Sequence, residues 1–97
     1  DNKERVERRI GRNMTDDELY ITHFLGARQS VRFLMAYDRN PNLRADRLVP
    51  VAAESNSSIF FNEKRALSVG EVRERLADDI SSYMTEYADL AVFRPET

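Results

Sequence analysis

The stretch LSVGEVRERLADDISSYMTEY, residues 67–87, decides the predicted fold because it carries the signals of one long amphipathic helix. Ser68 is a favoured N-cap residue, and Glu71 three positions later completes a capping box. Leu67 and Val72 have the spacing of a hydrophobic staple across that cap. Apolar residues then recur at helical steps, which predicts one buried stripe: Val69, Val72, Leu76, Ile80, Tyr83, Met84 and Tyr87.

Short apolar segments on both sides of this helix indicate the strands of a small sheet. The predicted strands are 48–53, 58–61 and 90–93. Pro50 suggests that the first of them begins a strand or lies at the edge of the sheet, because proline donates no ladder hydrogen bond. Asn62, Glu63 and Lys64 predict a tight turn that leads into residues 65–67.

The first half of the chain permits two interpretations. Thr15 and Glu18 form a second capping box, so a helix is expected to begin at Asp16, although 16–25 also fits a strand. Residues 31–37 alternate between apolar and other side chains in the manner of a strand. We favour a strand at 31–37, and the alternative is a helical stripe through Phe24, Ala27, Val31 and Leu34.

We therefore expect an α+β fold in which residues 14–97 form one small two-layer domain. A sheet of three to five strands is expected to pack against the long C-terminal helix. Residues 1–13 are nearly all charged, but Val6 and Ile10 lie one helical turn apart. These residues are expected to form a charged helical arm in front of the domain.

The composition argues against several classes of function. The chain has no cysteine, no glycine-rich nucleotide loop and no calcium-binding loop, so we expect no metal or cofactor. His23 is the single histidine, and no nucleophile or acid is recognisable beside it. We therefore expect a protein that is not an enzyme, with a small enzyme using His23 or Asp78 and Asp79 as a minor alternative. No apolar run is long enough to span a membrane.

The function that remains is a protein-interaction or assembly module that acts through a strand edge or the helical arm. Its partner is expected to be another protein or a second copy of the chain. The predicted partner-binding residues are Val6, Ile10, Arg28, Arg32, Arg39, Arg44 and Arg47. A regulator that contacts nucleic acid through the arginines of residues 28–47 is the alternative. The net charge of −2 argues against it, because such proteins usually carry a strong basic excess.

The region from Leu48 to Glu96 resembles part of the periplasmic domain of the ExbD/TolR family. The matching order is a strand with Ile59 to Asn62, a turn with Leu67 to Val69, the helix, and a strand with Asp89 to Phe93. The resemblance implies a periplasmic assembly domain. It leaves residues 14–47 without a counterpart, and the family's second helix and last strand have no match in this chain.

Overall fold

The computed structural model describes residues 2–79, and helices account for most of them. The helices are α1 (Asn2–Ile10), α2 (Asp16–Leu25), α3 (Ala27–Arg39), α4 (Ala45–Leu48), α5 (Pro50–Ser55), α6 (Ser57–Phe60) and α7 (69–79). The strands are β1 (Phe61–Asn62) and β2 (Arg65–Ala66).

Helix α7 begins where the capping box predicts. The Ser68 amide donates to Glu71 Oε1 at 2.9 Å, and the Glu71 amide donates to Ser68 Oγ at 3.1 Å. Two amides that the helix leaves without partners are thereby satisfied. The first part of the predicted stripe is buried, with Val69, Val72 and Leu76 all in the core. Residues 80–87 of the predicted helix and the predicted strand at 90–93 lie outside the described residues.

Helices α2 and α3 meet at a single glycine. Helix α2 begins at Asp16, as predicted, and Glu18 accepts a hydrogen bond of 2.9 Å from the Thr15 amide. Gly26 then adopts φ 85° and ψ 162°, a conformation that is almost confined to glycine. Its amide donates to Thr22, the last such bond of α2, and its carbonyl accepts from Ser30, the first of α3.

One hydrophobic core connects the elements from α1 to α7. Its largest fully buried members are Phe33, Phe60, Ile21, Leu34, Leu67, Leu76, Val6, Val49, Val69 and Val72. Helix α1 contributes Val6 and packs against α3. The helix predicted within residues 1–13 is therefore present, and its apolar side is buried by the chain itself.

Between residues 2 and 79 the β structure is confined to a hairpin and one isolated bridge. β1 and β2 pair antiparallel with Phe61 opposite Ala66, and Glu63 takes a φ of 57° in the predicted turn. The backbones of Arg44 and Ser68 form an isolated antiparallel β-bridge just before α7. Next to that bridge the Val69 amide donates to the Leu43 carbonyl at 2.8 Å. These bonds attach the start of α7 to the loop that follows α3.

The predicted sheet of three to five strands packed by a C-terminal helix is wrong. Among residues 2–79 the chain is mostly helical and has only a two-stranded sheet. The alternation in 31–37 was misleading, because the same residues also carry a helical stripe. Residues Ser30, Val31, Phe33, Leu34 and Ala36 are buried on the inner face of α3.

The strand predicted at 48–53 is also wrong. Its residues belong to α4 and α5, and Pro50 lies at the first position of α5. Proline suits that position because the first amides of a helix have no intrahelical partner. The strand predicted at 58–61 is mostly α6, with only Phe61 in β1. A short apolar run does not separate a buried strand from a helical turn by its pattern alone.

Candidate functional site

An arginine-lined groove lies between α1 and α3. It has a volume of about 520 Å³. We call it the arginine groove, and it is lined by Arg5, Val6, Arg8 and Arg9 of α1 and by Ala27, Arg28, Val31 and Arg32 of α3. No carboxylate is among these lining residues, so one sign of charge dominates the surface.

Helical spacing places the arginines on the two walls of the groove. Arg5 and Arg9 are four residues apart on α1, as are Arg28 and Arg32 on α3, so each pair lies on one side of its helix. All four side chains are exposed, whereas Val6 is fully buried. The groove therefore combines an aliphatic floor with a cationic rim.

The groove arginines differ in their contacts from Arg12, Arg44, Arg65 and Arg73, each of which is bound to a carboxylate. The side chains of the groove arginines make no ion pair or hydrogen bond with any residue in the range 2–79. Elsewhere arginines are bound to carboxylates, as Arg44 is to Asp46 and Arg65 is to Glu71. The groove thus presents donors that an anionic ligand could take without displacing a carboxylate of the chain.

The structure brings together only some of the predicted partner-binding residues. Arg28 and Arg32 line the groove, and Val6 forms its floor. Ile10 is half-buried against the core. Arg39, Arg44 and Arg47 are exposed and lie outside the groove.

Arg44 is engaged within the chain. It donates two hydrogen bonds to Asp46, of 3.0 and 2.7 Å. These hydrogen bonds raise the pKa of Arg44 and lower the pKa of Asp46, because each charged group stabilises the ionised form of the other.

The sequence reasoning missed Arg5, Arg8 and Arg9. A signal for them was available, because Arg5 and Arg9 share the helical spacing of Arg28 and Arg32. Only the packing of α1 on α3 places the two arginine pairs on one groove.

A second cluster of polar residues surrounds Glu18, whose side chain is only 1% exposed. Arg12 holds both carboxylate oxygens of Glu18, each at 2.8 Å. The same guanidinium binds Asp38 of α3 at 3.0 and 3.1 Å. Arg73 of α7 binds the Oε2 atom of Glu18 at 2.8 Å. We call these residues, with Asp17 and Tyr37, the Glu18 cluster.

Two further contacts complete the Glu18 cluster on the side of α7. Arg73 reaches Asp17 at 3.2 Å, and its guanidinium lies 4.4 Å from the centre of the Tyr37 ring. The hydrogen bonds from Arg12 are the main cause that lowers the pKa of Glu18 to about 2, although burial acts in the opposite direction. The cluster therefore holds a fully ionised carboxylate inside the protein and connects α2, α3 and α7.

The remaining candidates for chemistry lie apart from both features. His23 is exposed on α2, and Asp78 and Asp79 are exposed on α7, in the last described residues. Among the described residues no group of acidic or histidine side chains is arranged to hold a metal ion. No helix within residues 2–79 has both the length and the apolar character needed to cross a membrane.

Comparison with known proteins gives no relative for this chain. No protein-family model matches it, and neither a curated protein nor a solved structure shows significant similarity to it. The resemblance of residues 48–96 to the ExbD/TolR family therefore gains no support from these comparisons.

Proposed function

We propose that the protein is a non-enzymatic interaction module that binds an acidic segment of a partner protein in the arginine groove. The observation that carries this proposal is a set of arginines around an aliphatic floor that have no partner among residues 2–79. Of the two routes expected from the sequence, strand edge or helical arm, the proposal follows the second. β1 and β2 have only two residues each and offer little edge for pairing.

Carboxylates suit the rim of the groove, and aliphatic side chains suit its floor. A guanidinium forms paired hydrogen bonds with a carboxylate, and such charged bonds are stronger than neutral ones. Residues four apart on a helix are about 5–6 Å from each other. Acidic residues one helical turn apart on a partner would therefore face Arg5 and Arg9 on one wall and Arg28 and Arg32 on the other.

The lining of the groove favours a protein ligand over nucleic acid. Single-stranded nucleic acid is usually held by aromatic side chains on which bases stack, and none of the aromatic residues that the structure describes lines this groove. The chain as a whole has a net charge of −2, which opposes a long polyanion. Ala27 and the small exposed part of Val31 instead offer contacts to leucine or valine side chains, with the fully buried Val6 beneath them.

The test is binding of a fluorescent peptide that forms an amphipathic helix of glutamate and leucine, measured by anisotropy with the full chain. Replacing Arg28 and Arg32 together with glutamine should weaken binding roughly tenfold or more, since each lost charged hydrogen bond contributes about 1.5 kcal/mol. The matched control replaces Arg39 and Arg47 with glutamine. It removes the same charge from exposed arginines outside the groove and should change the affinity less than about twofold.

Three results would overturn the proposal. The first is that both double variants bind the peptide equally weakly, which would indicate attraction by the overall positive charge and not by a site in the groove. The second is tighter binding of a single-stranded oligonucleotide of equal charge through the same arginines. The third is that the native chain dimerises with increasing concentration, as measured by light scattering, and that the Arg28 and Arg32 replacements abolish this dimerisation. The groove would then bind a second copy of the chain.

A further inference from the structure

We infer that Arg12 is a positioning residue. Its hydrogen bonds to Asp38, which we call the brace, hold the two walls of the arginine groove together, and Glu18 connects the brace to α7. The inference rests on the proposed function, because it concerns how the groove is kept ready to bind. Arg12 does not line the groove, so any effect on binding acts through the walls.

Arg12 lies where α1 leaves the groove. Helix α1 ends at Ile10, and Gly11 follows with a φ of 81°, its amide still bonded to the Glu7 carbonyl at 2.9 Å. Arg12 then donates from Nε and Nη2 to both oxygens of Asp38, which lies near the end of α3. One guanidinium thus joins the wall formed by α1 to the wall formed by α3.

The brace and the groove lie along the same pair of helices. Asp38 is six residues beyond Arg32 on α3, which is about 9 Å along the helix axis. Arg9 belongs to the other wall, and Arg12 follows it by three residues, just after the end of α1. Val6 fixes the floor between the walls, and the bond from Arg12 to Asp38 fixes one end. Without that bond α1 can tilt about Val6, which changes the separation of the arginines.

The brace is shared with α7 through Glu18. Arg12 and Arg73 bind the same carboxylate, and Arg73 also lies over Tyr37 of α3. A displacement of α7 therefore acts, through Glu18, on Arg12, the residue that fixes the separation of the groove walls. Because coupling between two sites is reciprocal, a ligand in the groove should also stabilise α7.

Asp38→Asn separates positioning from simple electrostatics. This variant removes a negative charge near the groove, so electrostatics alone predicts tighter binding of the acidic peptide. Loss of the brace predicts weaker binding, by roughly fivefold, which is the lower end of ordinary coupling between sites. Arg12→Lys keeps the charge but loses the fork that spans Asp38 and Glu18, and it should weaken binding in the same direction.

Asp46→Asn is the matched control. It removes a carboxylate that is also held by two bonds from one arginine, but away from the groove. It should leave the affinity unchanged or slightly higher. Amide hydrogen exchange of α1 provides a second measurement without ligand, and it should be faster in Asp38→Asn than in Asp46→Asn.

The two proposals fail in different ways. If the native chain does not bind the peptide, the proposed function fails, and exchange in α1 still tests the brace. If the native chain binds but Asp38→Asn binds equally well or better, the positioning role of Arg12 is overturned. Unchanged exchange in α1 of Asp38→Asn overturns it as well.

Discussion

At the scale of the residue, Glu18 is the buried carboxylate on which the contacts of Arg12 and Arg73 converge. Its carboxylate is almost completely buried, yet it receives hydrogen bonds from two guanidinium groups and from the Thr15 amide. Burial of a charge is costly unless partners replace the lost water. The contacts from Arg12 and Arg73 supply that replacement, and they explain why a glutamate belongs to the interior of so small a protein.

Replacing Glu18 with glutamine should destabilise the protein by about 3 kcal/mol at neutral pH, because it leaves two partly buried arginines without their shared partner. Chemical denaturation measures this loss. Glu74→Gln is the control, since Glu74 is exposed on α7, and it should cost less than about 0.5 kcal/mol. Equal stability of both variants would show that the Glu18 cluster contributes little to folding.

The lowered pKa of Glu18 predicts how the stability of the protein depends on pH. The pKa of Glu18 is about 2 in the folded chain and 4.5 in its ordinary state. The unfolded chain therefore takes up the proton first, so the stabilisation is complete above about pH 4.5 and declines as the pH falls toward 2. The pKa of Glu71 is also lowered to about 2, mainly by Arg65, so the native protein loses stability from both groups. Glu18→Gln should lose less stability between pH 5 and 3 than the native chain.

At the scale of the element, the corner between α2 and α3 positions one wall of the groove. Gly26 is the only residue between the two helices, and Ala27 and Arg28 directly after it line the groove. Its combination of φ 85° and ψ 162° allows α3 to leave α2 without an intervening loop. The direction of α3, and with it the position of Arg28 and Arg32, follows from this one backbone conformation.

Gly26→Ala should destabilise the protein by about 1–3 kcal/mol, which is the cost of forcing a side chain into this region of backbone space. A built Cβ meets no atom within 4 Å, so the expected loss is conformational and not a clash. Gly26→Asn should not rescue stability, because asparagine tolerates the left-handed helical region but not this ψ. Unchanged midpoints of urea unfolding for both variants would contradict the assigned role of the corner.

At the scale of the whole molecule, α1 belongs to the same core as the helices that follow it. Val6 is fully buried and lies in one hydrophobic cluster with residues of α2, α3 and α7. The charged side of α1 faces the groove and solvent. The division at residue 13 between an arm and a domain stays a prediction, and the packing of Val6 provides a direct way to test it.

Val6→Ala should lower the free energy of unfolding of the whole chain by about 2 kcal/mol, from roughly 0.8 kcal/mol for each buried carbon removed and the cavity left behind. Val51→Ala is the matched control, because Val51 is also helical but 70% exposed. Thermal unfolding followed by circular dichroism measures both. If α1 unfolds separately from the rest, the main transition of Val6→Ala will coincide with that of the native chain.

Features that depend on near neighbours can be predicted from the amino-acid sequence alone. The capping boxes at Thr15 and Ser68, the start of α2, the start of α7 and the turn at 62–64 follow from hydrogen bonds and backbone preferences within a few residues. These interactions are encoded locally. They were therefore predicted correctly without knowledge of the remainder of the chain.

Only the tertiary structure decided between helix and strand for the short apolar segments, and only it assembled the groove. Residues 31–37 fit both periods, and the packing of α3 against α1 and α2 selects the helix. Arg5 and Arg9 are separated from Arg28 and Arg32 by about twenty residues, so no local pattern relates them. Their meeting depends on the burial of Val6 and the turn at Gly26, which are long-range packing and backbone geometry.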